Sequence, residues 1–201
     1  ECLFGYRDSI FKHSAGADLI VTAVTIKLTK NAPTKLAYRS SSQSIESYLK
    51  QNNIVNKTPA DIREAVLFVR KNIGMLEGCF RSAGSFFKNT IVSEETFLSV
   101  QKKVADSFSE QDAKLSPWHW PLENGEVKIS TAFLLECTAY NKNSYGKKRL
   151  NNVGLSPFHS LSVVTEEGAT ANDVHAFVEK IVSAVDDTFG LVIESEVVVV
   201  K

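Results

Sequence analysis

The chain has 201 residues, 43% hydrophobic and 23% charged, the range of a soluble globular protein with one sizeable core or two small ones. Lysine plus arginine and aspartate plus glutamate both number 23, so no overall field draws it to nucleic acid or an anionic membrane. Its three cysteines, Cys2, Cys79 and Cys137, are odd in number and far apart, which argues against a disulfide framework or paired metal ligands and points to a reducing cytoplasm.

The chain opens on Glu1 and enters Cys-Leu-Phe-Gly-Tyr-Arg directly, as a piece cut from something longer would. Residues 18–28 are rich in β-branched side chains and alternate in their second half, which predicts a strand ended by Asn31-Ala-Pro33. Ile45, Tyr48 and Leu49 suggest a short helix closed by Gln51-Asn-Asn53. Thr58-Pro-Ala-Asp61 is a capping box with proline at the first helical position, and Ile62, Ala65, Val66, Val69 and Ile73 follow at helical spacing up to Gly74. Residues 79–84, ending in Ser82-Ala-Gly84, read as a turn that presents something before Ser85-Phe-Phe-Lys-Asn89.

A second amphipathic helix is expected over 93–108, then a polar loop through Trp118-His-Trp-Pro121 and a turn at Glu123-Asn-Gly125. A short strand over 127–129, a helix over 131–139 and a polar, basic loop over 141–152 come next. A strand over 161–165 precedes a second capping box, Thr170-Ala-Asn-Asp173, whose helix stops at Gly190. Residues 191–200 read as a final strand, too short to span a membrane, and the whole is an α+β protein with helices packed on small sheets.

The four histidines lack i, i+4 pairing and a nearby cysteine pair, so no metal is expected. Ser85-Phe-Phe-Lys88 matches the Ser-x-x-Lys pattern of acyl-transfer enzymes, but the companion motifs Ser-Asp-Asn and Lys-Thr-Gly are absent from the sequence. Glu194 and Glu196 alternate in an apolar run, which puts both carboxylates on one strand face. Tyr6-Arg-Asp-Ser9 on its own reads as a surface turn with an Arg–Asp pair.

Ordered along the chain, these segments closely resemble the UDP-N-acetylenolpyruvoylglucosamine reductase family. The resemblance rests on Phe4-Gly-Tyr-Arg-Asp-Ser-Ile-Phe-Lys-His13, Pro59-Ala-Asp-Ile-Arg-Glu-Ala-Val66 and Ser82-Ala-Gly-Ser-Phe-Phe-Lys-Asn89. It continues through Asn124-Gly-Glu-Val-Lys128, Val153-Gly-Leu-Ser-Pro157 with His159, Gly168-Ala-Thr-Ala171, and Phe189-Gly190 leading to Glu194-Ser-Glu-Val197.

The resemblance implies a cytoplasmic, monomeric flavoprotein that uses NADPH to charge FAD. Its small-molecule substrate would be UDP-N-acetylenolpyruvoylglucosamine, reduced to UDP-N-acetylmuramate for peptidoglycan, with no nucleic-acid or membrane partner. On it, Ser85 is the proton donor, workable because the intermediate it meets is a strong base in a dry site. Arg7 is the catalytic arginine that forks onto the substrate carboxylate. Glu196 is the catalytic glutamate, which could donate to that carboxylate if neighbouring Glu194 keeps it protonated.

Tyr38 falls where longer members carry a tyrosine that closes over the nucleotide, and Lys88, Asn89 and Trp120 are expected to bind substrate; Trp120 stands where some members have tyrosine. Val198 stands where many have an arginine, and Lys142 and Lys147 are candidates for the phosphate-binding lysine. The glycine-rich segment that holds the FAD diphosphate would lie upstream of Arg7, so the cofactor-binding residues are unknown here. Residues 1–73 are expected to end an FAD-binding, PCMH-like domain, 74–190 to form a small substrate-binding domain, and 191–201 to carry Glu196 back on a last strand. The rival readings are a non-catalytic UDP-sugar-binding module and a Ser-x-x-Lys acyl enzyme.

Overall fold

A computed structural model describes residues 2–28, 30, 45–72, 76, 80–115, 117–144 and 148–199. Two 3-10 turns, Ile10–Lys12 and Ser14–Gly16, fold the first loop back on itself. Residues 18–28, expected as a strand, form no ladder among the described residues, and Ile20, Val24 and Leu28 are 87%, 74% and 82% exposed. β-branching favours an extended backbone, but a strand needs a second edge to bond with.

Helix α1 (Ile45–Gln51) and helix α2 (Pro59–Asn72) pack as a pair through Ile45, Leu49, Ala65 and Val69. Helix α2 begins as its capping box dictates. The Asp61 amide donates to the Thr58 hydroxyl at 3.2 Å, and the Thr58 amide donates to the Asp61 carboxylate at 2.8 Å.

The larger body starts with strand β1 (Arg81–Ser85), where a turn was expected. Its small side chains give little strand signal; antiparallel pairing with a later strand makes it one, interrupted by a bulge between Ser82 and Ser85. Gly84, with φ of 84°, supplies the conformation that the bulge needs. Strand β2 (Thr90–Ser93) leads into α3 (Glu94–Ser107), capped by Ser93, and α4 (Ser109–Leu115) follows. The expected loop around Trp118 instead contains strand β3 (His119–Pro121), whose proline is tolerated on a sheet edge.

Strand β4 (Glu126–Ile129), α5 (Thr131–Glu136), β5 (Val153–Leu155), β6 (Ser162–Thr165) and α6 (Ala171–Phe189) complete the order. They give two three-stranded antiparallel sheets, β1-β6-β5 and β2-β4-β3, and an α+β architecture. Phe177, Ile181, Val185 and Phe189 recur every fourth residue on α6 and are all buried against Phe133, Leu134 and Leu155. Burying each such side chain stabilises the body by about 1.5–3 kcal/mol. The Thr170–Asp173 box starts α6, and Gly190 ends it in the left-handed conformation.

Residues 191–199 form no regular strand. One antiparallel bridge, Phe87 to Ser195, ties them beside residues 86–88. The chain segment 86–89 joins the two sheets, so the C-terminal run lies along their junction.

Candidate active site

Arg7 sits at the tip of a tight turn. Gly5 and Asp8 bridge each other through bonds of 3.0 and 3.4 Å, leaving Arg7 at a φ of 54°, a strained value for a side-chain-bearing residue. The Asp8 carboxylate accepts from the backbone amide of Ser9 and bonds His13, which holds its carboxyl below the usual aspartate range. The expected Arg–Asp pair is therefore replaced. Asp8 braces the exposed loop through Ser9 and His13, and Arg7 meets a partner far along the chain.

That partner is Glu196. Its Oε2 lies 3.6 Å from Arg7 Nε, and its Oε1 lies 3.6 Å from Lys12 Nζ. Oε2 is buried and has no hydrogen bond among the described residues. Glu194 faces a different cation, Lys88, whose ammonium donates to it at 3.1 Å. Each carboxylate lies against cations rather than against the other.

Ser85 reaches this place through the backbone. The Glu196 amide donates to the Phe86 carbonyl at 2.7 Å, and the Lys88 amide donates to the Glu194 carbonyl at 2.9 Å. Ser85, the residue before Phe86, is half-buried at the end of β1, with Ser162 opposite. Adding a Cβ at Gly84 would meet nothing within 4 Å, so one side of the bulge is open to an approaching group. Alternation sends Ser195, Val197 and Val199 to the reverse face, where they line an apolar cavity of about 380 Å³ with Phe86 and Val178.

Asn89 has an architectural partner. Its side-chain oxygen accepts from the Thr131 amide at the start of α5, and the Thr131 hydroxyl donates to the Lys88 carbonyl at 2.6 Å. Trp120 pairs across β3 and β4 with Lys128, whose ammonium stands 5.4 Å from the Trp120 ring and 4.8 Å from that of Tyr6. Lysine over aromatic faces is favourable, and this contact ties the Arg7 loop to the second sheet. Sequence reasoning gave neither Lys12 nor Lys128 a role; the only signal was their place inside quoted motifs.

Tyr38, Lys147, Cys79, Ile73 and Gly74 lie outside the described residues, as does the side chain of Lys142. His159 is largely buried, which pulls its pKa below the ordinary histidine range, and its Nδ1 accepts from the Leu161 amide. No group of three or more potential metal ligands occurs among the described residues.

The family model described as "UDP-N-acetylenolpyruvoylglucosamine reductase, C-terminal domain" matches residues 76–200. The chain belongs to the UDP-N-acetylenolpyruvoylglucosamine reductase family. Curated relatives carrying that enzyme's name include one from Thermobifida fusca, 33% identical over 100% of this chain and 54% of its own length. Others come from Chromobacterium violaceum, 30% identical over 98% of this chain and 52% of the relative, and Flavobacterium johnsoniae, 30% identical over 100% and 54%.

The chain thus spans about half the length of the reductase relatives it matches. Ser85, Lys88, Asn89, Trp120 and Glu196 fall inside the matched C-terminal domain of the reductase family, whereas Arg7 falls upstream of it. No described helix is long and apolar enough to cross a membrane.

Proposed function

We propose that this chain is the substrate-side portion of an NADPH- and FAD-dependent reductase. It would convert UDP-N-acetylenolpyruvoylglucosamine to UDP-N-acetylmuramate in cytoplasmic peptidoglycan-precursor synthesis. One observation carries the reading: Arg7, from the first loop, and Glu196, from the C-terminal run, meet at a buried glutamate oxygen that lacks a hydrogen bond, while the Glu196 amide bonds the carbonyl of Phe86, the residue after Ser85. Such an arrangement suits a substrate carboxylate entering between guanidinium and glutamate.

FAD, when bound, supplies the hydride that goes to the terminal methylene of the enolpyruvyl group. The open side of Gly84 beside Ser85 fits the approach of a flat ring. The described glycines are scattered singly along the chain and form no phosphate cradle.

The chain's own residues do the following. Arg7 holds the substrate carboxylate with its planar fork and stabilises the charge that builds there, and Glu196 is the catalytic glutamate that lies near the same carboxylate. The Ser85 hydroxyl donates its proton to the carbon that bears the carboxylate. The enolate is basic enough to take that proton, and the Glu196 amide bonds the carbonyl of Phe86, the residue after Ser85. Asn89, Lys88, Trp120 and Tyr38 are proposed to contact the substrate, Tyr38 closing over its nucleotide.

Residues 1–73 are proposed to complete a PCMH-like FAD-binding domain, which the exposed apolar run over 18–28 supports, since it carries strand chemistry without an edge. Residues 74–190 form the substrate-binding domain, and 191–201 return Glu196 to it. The acyl-enzyme rival loses its base, because Lys88 is engaged with Glu194.

The test is turnover by the flavin-loaded protein. NADPH should be oxidised when enolpyruvyl substrate is added, and Ser85→Ala should keep the flavin while losing the substrate-dependent step. Full turnover by Ser85→Ala would remove Ser85 from its role. Tight binding of the sugar nucleotide without turnover in wild type would favour the non-catalytic module.

A further inference from the structure

We infer that Lys12 is a positioning residue that holds the Arg7–Glu196 pair in register, and this rests on the catalytic reading of those two residues. Lys12 ends the first 3-10 turn, and its ammonium makes two contacts that belong to different ends of the chain. It donates to the Arg7 carbonyl at 2.9 Å, and it stands 3.6 Å from Glu196 Oε1. Arg7 takes the other oxygen of the same carboxylate at 3.6 Å.

The carbonyl contact matters because Arg7 has a left-handed backbone. A side-chain-bearing residue at a φ of 54° is strained and relaxes unless its neighbours hold it. The turn's own return bond, from the Asp8 amide to the Gly5 carbonyl, is long at 3.4 Å. The bond from Lys12 fixes the peptide plane that follows Arg7, and with it the direction from which the guanidinium leaves the turn.

The carboxylate contact has a second purpose. When Arg7 turns its fork to an incoming carboxylate, Glu196 loses one cation from a site where its side chain is only 21% exposed. Lys12 remains on the opposite oxygen, so the arginine is released to the ligand without leaving the glutamate unpartnered. The residue needs a positive charge at the end of a chain of this length; an uncharged side chain of similar shape fills the space but makes neither contact.

The experiment compares wild type, Lys12→Met, Lys12→Arg and Glu196→Gln. The first readout is the Arg7 Nε–H resonance in arginine-labelled protein, which needs no activity. Glu196→Gln should move it, Lys12→Met should move it as well, and Lys12→Arg should bring it back toward wild type. A resonance unmoved in Lys12→Met but moved in Glu196→Gln overturns the proposal, as does one unmoved in both.

The second readout is steady-state turnover of the flavin-loaded enzyme. Lys12→Met should lower kcat about tenfold to a hundredfold, the range for a misplaced catalytic group, with the KM for NADPH unchanged. Lys12→Arg should recover most of the loss. Equal loss in both variants, or loss only in KM for NADPH, overturns the proposal. An inactive wild type refutes the functional reading instead, and the resonance then decides Lys12 alone. If Lys12→Met fails to fold, Lys12→Gln replaces it, with the same outcomes.

Discussion

Gly16→Ala is the sharpest test of how the Arg7 loop is built. A Cβ placed on Gly16 would lie 2.3 Å from the Ile10 carbonyl oxygen, 2.7 Å from its carbon and 3.1 Å from Phe11 Cα. All three are backbone atoms, so no side chain can rotate away, and the approach must open by about 1 Å to reach ordinary contact. Overpacking of this kind costs about 1–3 kcal/mol. The Ile10 carbonyl accepts from the His13 amide at 3.1 Å, and the Ile10 amide donates to the Cys2 carbonyl at 2.9 Å, so both bonds absorb the displacement. His13 and Lys12 follow, and with them the braces on Asp8 and on the Arg7 carbonyl. Hydrogen exchange should show the His13 and Ile10 amides losing roughly five- to hundredfold protection. Amides of α6 should be unaffected, because its core is formed by other residues. Unchanged protection at Ile10 and His13 would refute the claim that Gly16 is there for close approach.

Three further outcomes follow from the packing and the charges. Thr131→Val removes a fully buried hydroxyl that donates to the Lys88 carbonyl and bonds Thr90, leaving acceptors unpaired at a cost of about 1–3 kcal/mol; a urea midpoint equal to wild type would sink this reading. Asp173 is held below the ordinary aspartate pKa of about 3.9, first by the Thr170 hydroxyl, so its stabilisation is present above that pH. The stability gap between wild type and Asp173→Asn should close as pH falls through the lower folded value, and acid titrations of unfolding that stay parallel would contradict it. Burial pushes the Cys137 thiol up to about 12, so a thiol reagent at pH 8 should leave it unlabelled until urea unfolds the chain. Mass mapping of labelled peptides reads this directly.

The functional reading and the fold support each other at one place, the junction of the two sheets. Strand β1 delivers Ser85 there, the C-terminal run delivers Glu196, and the first loop delivers Arg7. Asn89 and Thr131 fasten the start of α5 to the segment that joins the two sheets.

What the sequence alone determined were the features whose physics is local. The boxes at Thr58 and Asp61 and at Thr170 and Asp173 each close through bonds spanning three residues, so α2 and α6 start where expected. The four-residue spacing from Phe177 to Phe189 shows the buried face of α6 without any partner in view. The motifs also placed Arg7, Ser85 and Glu196 together through their family resemblance, though no local rule connects them.

The tertiary structure alone decided what depends on a distant edge or charge. Strands β1, β3 and β5 are made by their neighbours, because three to five residues carry too little propensity to choose a state. Residues 18–28 have the propensity and no described edge, and they stay exposed. Arg7 chose Glu196 over the adjacent Asp8, and Lys88 met Glu194 across a separation of 106 residues. Pairings of that kind are absent from sequence spacing because the chain must first fold both partners to one place.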